Sequence, residues 1–239
     1  MSQRNTDYPI PLVRPSVDWV LERLEARYGN PVPPAITDPL DELIACILSQ
    51  HTSDRNSHRT FARLKELFPD WNQVINAPTD EVVDAIWDGG LAHSKAPRIQ
   101  AVLREIQKRE GELCLNSLTA MSDQEARQYL LGLPGVGPKT AAIVLCFALG
   151  RSVIPVDTHV FRVAHRIGWI EQRIGEGRAH DVLQELVDDG NAYRLHIALI
   201  RHGRQICKAH RPLCEECPLS TDCLYYNQRE LSDNIKVRK

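Results

Sequence analysis

Residues 130–163, LLGLPGVGPKTAAIVLCFALGRSVIPVDTHVFRV, leave this chain few ways to fold. A short turn, Leu133-Pro134-Gly135-Val136-Gly137, separates two runs whose apolar residues recur at helical intervals. Glycine tolerates positive φ and close backbone approach, so Gly135 and Gly137 fit a tight reversal between two helices. Pro138 suits the first position of the second helix, where its missing N–H costs nothing. Successive N–H groups in such a turn form an anion nest, and the following helix adds its positive dipole end. A bare G-x-G warrants only an ordinary connector; the nine residues LPGVGPKTA are far more specific.

The rest of the chain is also helical in pattern. Apolar periodicity predicts helices over 17–28, 39–50, 54–68, 79–87, 94–110, 122–131, 138–149, 158–168, 177–188 and 191–206. Gly29–Pro39 holds four prolines and reads as a linker, and Asp38-Pro39 as an N-cap followed by proline. Only Ser152–Val156 resembles a strand, and it is too short and isolated to imply a sheet. The longest apolar run, Ala141–Leu149, has nine residues, whereas a bilayer span needs about 20. The N-terminus has no apolar core of a signal peptide. The expectation is a soluble, cytoplasmic monomer that engages no membrane. Formal net charge is −2, which argues against a polybasic coat but leaves room for a local basic face, for instance 201–211.

Two residues in the opening segment carry potential chemistry. A lysine amine must shed its proton to become a nucleophile, and both burial and a helix N-terminus favour that. Lys139, in the first turn of an apolar helix, is expected to receive both influences. A neutral amine can attack a sugar anomeric carbon and form a Schiff base. A nearby carboxylate can stabilise the positive charge that develops as a glycosidic bond breaks. Asp157, eighteen residues after Lys139, is the candidate. Each has a plainer reading: Lys139 as a phosphate contact, Asp157 as the N-cap of the next helix.

Cys207, Cys214, Cys217 and Cys223 form C-x6-C-x2-C-x5-C within seventeen residues. Four thiols so placed point to a metal or cluster site. Spacing alone admits zinc or an iron–sulfur cluster. Cys46 and Cys146 fall in apolar helical runs and read as buried thiols; Cys114 has no evident role.

These motifs together resemble a known family. LPGVGPKTA matches the helix-hairpin-helix of DNA-binding proteins. With Lys139-Thr140-Ala141 and Val156-Asp157-Thr158-His159-Val160-Phe161-Arg162-Val163, the chain from about 38 to 223 resembles the endonuclease III branch of the helix-hairpin-helix DNA glycosylases. The resemblance implies Lys139 as Schiff-base nucleophile, Asp157 as catalytic carboxylate, and a [4Fe-4S] cluster on the four C-terminal cysteines. It implies an all-α fold of two helical lobes with the active site in the cleft. A six-helix barrel lobe, 36–152, is inserted into a cluster lobe made of 1–35 and 153–239. The implied substrate is double-stranded DNA with a damaged base, chiefly an oxidised pyrimidine, or an abasic site.

Chemistry at an anomeric carbon in a duplex requires base flipping, and a side chain must fill the gap. Two loops resemble the family's wedges. Leu48-Ser49-Gln50-His51-Thr52-Ser53-Asp54 offers Gln50 or His51, the latter where the family usually carries an amide. Gly89-Gly90-Leu91-Ala92-His93-Ser94-Lys95 offers Leu91, with His93 in place of a family asparagine. Gly135 and Gly137 are expected at DNA phosphate, as are Lys208, His210 and Arg211 of the cysteine loop. The adenine-mismatch branch lacks the lysine and needs a glutamate where Cys46 falls; the thymine-mismatch branch usually has tyrosine at the lysine position. Uracil- and alkylated-base branches stay open. Other classes are a non-catalytic DNA-binding scaffold, which needs no Lys139–Asp157 pair, and a zinc-stapled interaction module.

Overall fold

The computed structural model describes residues 14–33, 37–171 and 173–229. The N-terminal stretch read for a signal peptide, part of the proline-rich linker and the lobe boundary at 36 lie outside them, as do both chain ends. Among the described residues every regular element is helical. Ser152–Val156 forms no strand.

Eleven α-helices follow one another among the described residues: α1 (Val17–Tyr28), α2 (Pro39–Ser49), α3 (Asp54–Leu67), α4 (Trp71–Asn76), α5 (Thr79–Ala85), α6 (Ala92–Glu110), α7 (Asp123–Leu131), α8 (Pro138–Ile143), α9 (Thr158–Ile167), α10 (Glu176–Leu186) and α11 (Ala192–Gln205). Local side chains explain their starts. Asp38 accepts from the N–H groups of Leu40 and Asp41 at 2.8 and 2.9 Å, with Pro39 in the first turn. Ser122 and Glu125 form a reciprocal capping box at α7. Asp70 and Gln73 do the same at α4, a one-and-a-half-turn helix too short to announce itself by periodicity.

The expected helix over 138–149 is regular only to Ile143; Val144–Ala148 widens into a π-helical turn. That turn lies where the chain passes between two hydrophobic cores. The first core gathers side chains from α2 through α8, including Leu43, Ile47, Ile99, Leu103, Ala141 and Leu145. The second gathers α1 with Cys146 and most of the apolar residues that follow, including Leu24, Val160, Val163, Leu195 and Leu199. The first helix and the C-terminal helices thus share the second core, with α1 packed on α11.

Candidate active site

The hairpin between α7 and α8 has the conformation its glycines predict at one position and not the other. Gly135 lies at φ 72°, and a β-carbon there would press within 2.8 Å of the Arg98 side chain. Gly137 is extended, at φ −99° and ψ 175°, and caps α8 without any side chain. A β-carbon on Gly137 would meet nothing within 4 Å, so the residue faces open space. Among the described residues no group accepts from the amides of Gly135 or Gly137. Those donors are available to an anion.

Lys139 follows directly and is exposed. The expected burial is therefore not found: the first turn of α8 carries the residue outward, while its neighbours Thr140 and Ala141 pack inward. Asp157 is half-buried and caps α9. One carboxylate oxygen accepts from His159 and Val160 at 2.8 and 2.7 Å. The other has no hydrogen-bond partner among the described residues. His196 of α11, which packs against α9, is fully buried, its Nδ1–H donating to the Pro155 carbonyl at 2.8 Å. Burial pushes its pKa down to about 4; the Asp157 charge opposes that shift and the Lys139 charge reinforces it. One buried ring therefore senses the amine from one lobe and the carboxylate from the other. Sequence reasoning did not single out His196, since one histidine on an amphipathic helix carries no signal.

The two proposed wedge loops are bolted together from below. Lys95, buried to 2 % exposure, donates to the carbonyls of Leu48 and Gly89 at 2.7 and 2.9 Å. Above it, Gln50 is held by Arg98 at 2.7 Å, the same arginine that packs under Gly135. His51 is exposed at φ 56°. Leu91 is 57 % exposed at φ 54°, beside Trp87 at 58 %. His93 is exposed and meets Trp87 edge-on at 5.6 Å. Among the described residues the non-glycine positions with positive φ are His51, Leu91 and Arg211. A left-handed backbone is costly for leucine and persists where the surroundings impose it.

Arg211 belongs to the loop that follows α11. Arg162 donates to the Cys207 carbonyl at 2.9 Å, and Arg166 to those of Lys208 and Ala209 at 2.7 and 3.1 Å. The backbone is fixed while Lys208, His210 and Arg211 stay exposed. Cys207, Cys214, Cys217 and Cys223 line one small cavity behind it, with Ile167, Ile206 and Tyr225 among its walls. Among the described residues no three side chains converge as ligands of a single metal ion. Burial raises the thiols of Cys214, Cys217 and Cys223, Cys217 to about 12. Cys46 and Cys146 are buried as expected, and Cys114 lies near the Glu112 carboxylate at 3.3 Å.

A larger cavity, of about 560 Å³, opens where the cores meet. Its walls include Glu42, Cys46, Asp54 and His58 from α2 and α3, and Ile143 and Phe147 from α8 and the π turn.

Comparison with known proteins agrees with this arrangement. The pattern of the HhH-GPD superfamily of base excision DNA repair proteins matches residues 44–189. An Arabidopsis thaliana protein named as a DNA glycosylase is 38% identical over 190 residues, 75% of this chain and 64% of its own length. This chain thus spans just under two thirds of that relative. Endonuclease III of Thermotoga maritima is 34% identical over 193 residues, 81% of this chain and 86% of that one. A solved trapped covalent intermediate of Endonuclease III with DNA superposes with a TM-score of 0.75 at 28% identity, covering 90% of this chain and 97% of that one. The chain belongs to the HhH-GPD superfamily of base excision DNA repair proteins, alongside the endonucleases III.

Proposed function

We propose that this chain is a DNA N-glycosylase with abasic-site lyase activity, acting on damaged, chiefly oxidised, pyrimidines in double-stranded DNA. The observation that supports the reading is that the charges of Lys139 and Asp157 both act on one buried histidine, His196, while the hairpin before Lys139 keeps free amide donors. In this reading the lobe of residues 36–152 supplies the amine and the lobe of 1–35 and 153–239 supplies the carboxylate. The hairpin amides hold a phosphate without reading sequence. Leu91 and His51 enter the stack, with Gln50 fixed behind them by Arg98, and hold the damaged nucleotide outside the duplex. His93 and Trp87 support Leu91. Lys208, His210 and Arg211 bind phosphate further along.

Water is the one further reactant, consumed when the final Schiff base is hydrolysed and Lys139 is released. The Lys139 amine, freed of its proton, attacks the anomeric carbon. The glycosidic bond breaks, and the base leaves with the bonding pair and takes up a proton. The unpartnered Asp157 oxygen offsets the positive charge on the sugar. Ring opening gives a Schiff base, and loss of a proton from the adjacent sugar carbon expels the 3′ phosphate. Lys139 is exposed in the free protein, so DNA entering the cleft supplies its desolvation.

The four C-terminal cysteines fit a [4Fe-4S] cluster, since all four line one cavity and a cluster takes one thiolate per iron. Thiols raised by burial ionise only against a strong local positive charge, which iron supplies. Bound there, the cluster staples the tail beneath Lys208 and Arg211.

Borohydride trapping tests the enzyme reading. Wild type is expected to crosslink to a duplex with one abasic site, and Lys139→Gln to lose the crosslink entirely. Equal crosslinking by both proteins would eliminate Lys139 as the nucleophile.

A further inference from the structure

We propose that Glu42 reads the base held in the cavity between α2, α3 and the end of α8, by a two-point hydrogen bond to a ring edge that carries a donor beside an acceptor. The inference rests on the glycosylase reading above and adds a residue that the chemistry at the sugar does not require.

Glu42 lies on the face of α2 that lines the cavity. Its acidic neighbours are already committed. Asp38 caps α2, Asp41 accepts from Trp71 and Lys65 at 2.8 and 3.4 Å, and Asp54 pairs with Arg204 at 2.8 Å. The Glu42 carboxyl alone among these four has no hydrogen-bond partner among the described residues. Three contacts tie the cavity to the reacting residues. Cys46 on its wall bonds Thr140 and feels the Lys139 charge. Asp54, also on the wall, feels the same charge. Phe147 packs edge-on against His196 at 5.6 Å. Ile143 follows Lys139 by four residues on α8, and Phe147 of the π turn lines the same cavity. The volume suits a small ligand.

Burial raises the Glu42 pKa, and the His58 charge only partly offsets this. The carboxyl therefore keeps its proton to higher pH than an exposed glutamate. A neutral carboxylic acid is both a donor and an acceptor, and an ionised one is an acceptor only. The neutral form matches the N3 and O4 edge of a uracil- or thymine-derived base. It matches the N3 and N4 edge of a cytosine-derived base equally well. Apolar Ile143, Phe147 and Phe61 supply the stacking walls.

The test compares two single-turnover reactions of wild type, Glu42→Gln and Glu42→Leu: excision of an oxidised pyrimidine from a duplex, and cleavage of the same duplex carrying an abasic site. Glutamine keeps a donor and an acceptor; leucine keeps neither. Glu42→Leu is expected to lose about tenfold or more in base excision while abasic-site cleavage stays within about twofold. Glu42→Gln is expected to recover most of the excision rate. Unchanged excision by Glu42→Leu, or equal loss of both reactions, would overturn the role of Glu42 and leave the enzyme reading intact. A wild-type protein inactive on both duplexes would instead remove the enzyme reading, and this inference with it.

Discussion

The two cores are built on different principles. In the first, the buried lysine and glutamine answer to backbone carbonyls, and the other buried polar residues are the hydroxyl side chains Ser57, Thr60 and Thr140. Lys95 donates to Leu48 and Gly89, and Gln100 donates to Val74 and Ala77 at 2.9 Å each. The second buries three histidines. His180 accepts from the Val156 N–H at 3.1 Å, His196 donates to Pro155, and His202 lies 3.1 Å from the Tyr28 hydroxyl and 3.5 Å from Cys217. It also contains buried thiols and joins α1 to the helices that follow Cys146. The first lobe can stand on apolar burial. The second lobe depends on groups whose charge state can change.

Removing one cysteine should separate them most. Cys214→Ser is expected to cost the second lobe on the order of 5 kcal/mol if the proposed cluster is lost with it. Hydrogen exchange should then quicken across α11 and α9 and remain slow in α6. Uniform exchange through both lobes would show that they unfold as one unit.

Acid should divide them less sharply. His196 has an ordinary pKa near 6.5 and is pushed down to about 4 when folded. The unfolded chain binds a proton that the folded one refuses. This contribution is complete above about pH 6.5 and is lost as pH falls toward 4, by roughly 3 kcal/mol. Urea unfolding followed between pH 7.5 and 4.5 should show the loss, and His196→Asn should flatten that part of the profile. A wild-type profile with no slope between those values would remove His196 as its source.

The smallest effect on stability belongs to the first lobe's surface. Leu91→Ala should change unfolding free energy by less than about 0.5 kcal/mol, because the side chain is exposed. It should nonetheless weaken binding to a lesion-bearing duplex. A large stability loss would mean that Leu91 supports the fold rather than the duplex.

Much of this was legible in the sequence because it depends on near neighbours. The Asp38 cap, the hairpin glycines, the cysteine spacing and the buried Cys46 and Cys146 are all local signals. The rest needs the tertiary arrangement. Lys95 looks like any surface lysine on a helix until two distant carbonyls close around it. Glu42 differs from Asp41 only in which way α2 is turned. His196 gains meaning from residues 39 and 57 positions away. The burial expected for Lys139 failed because proximity to an apolar helix in sequence does not place a first-turn side chain inside. Left-handed backbone at His51, Leu91 and Arg211 is likewise invisible in composition, yet each falls where DNA contact was inferred.

The π turn at Val144–Ala148 has a consequence of its own. An α-helix turns about 100° per residue, so the widened turn works as a single-residue gearshift. Before it, Ala141 engages one core; within it, Leu145 still faces that core while Cys146 and Phe147 engage the other. Trimming one residue there would restore regular winding and swing the downstream side chains off their seats, along with the segment leading to Asp157. Descendants of this chain can lengthen their surface connections freely, but the stretch joining amine to carboxylate has a fixed count.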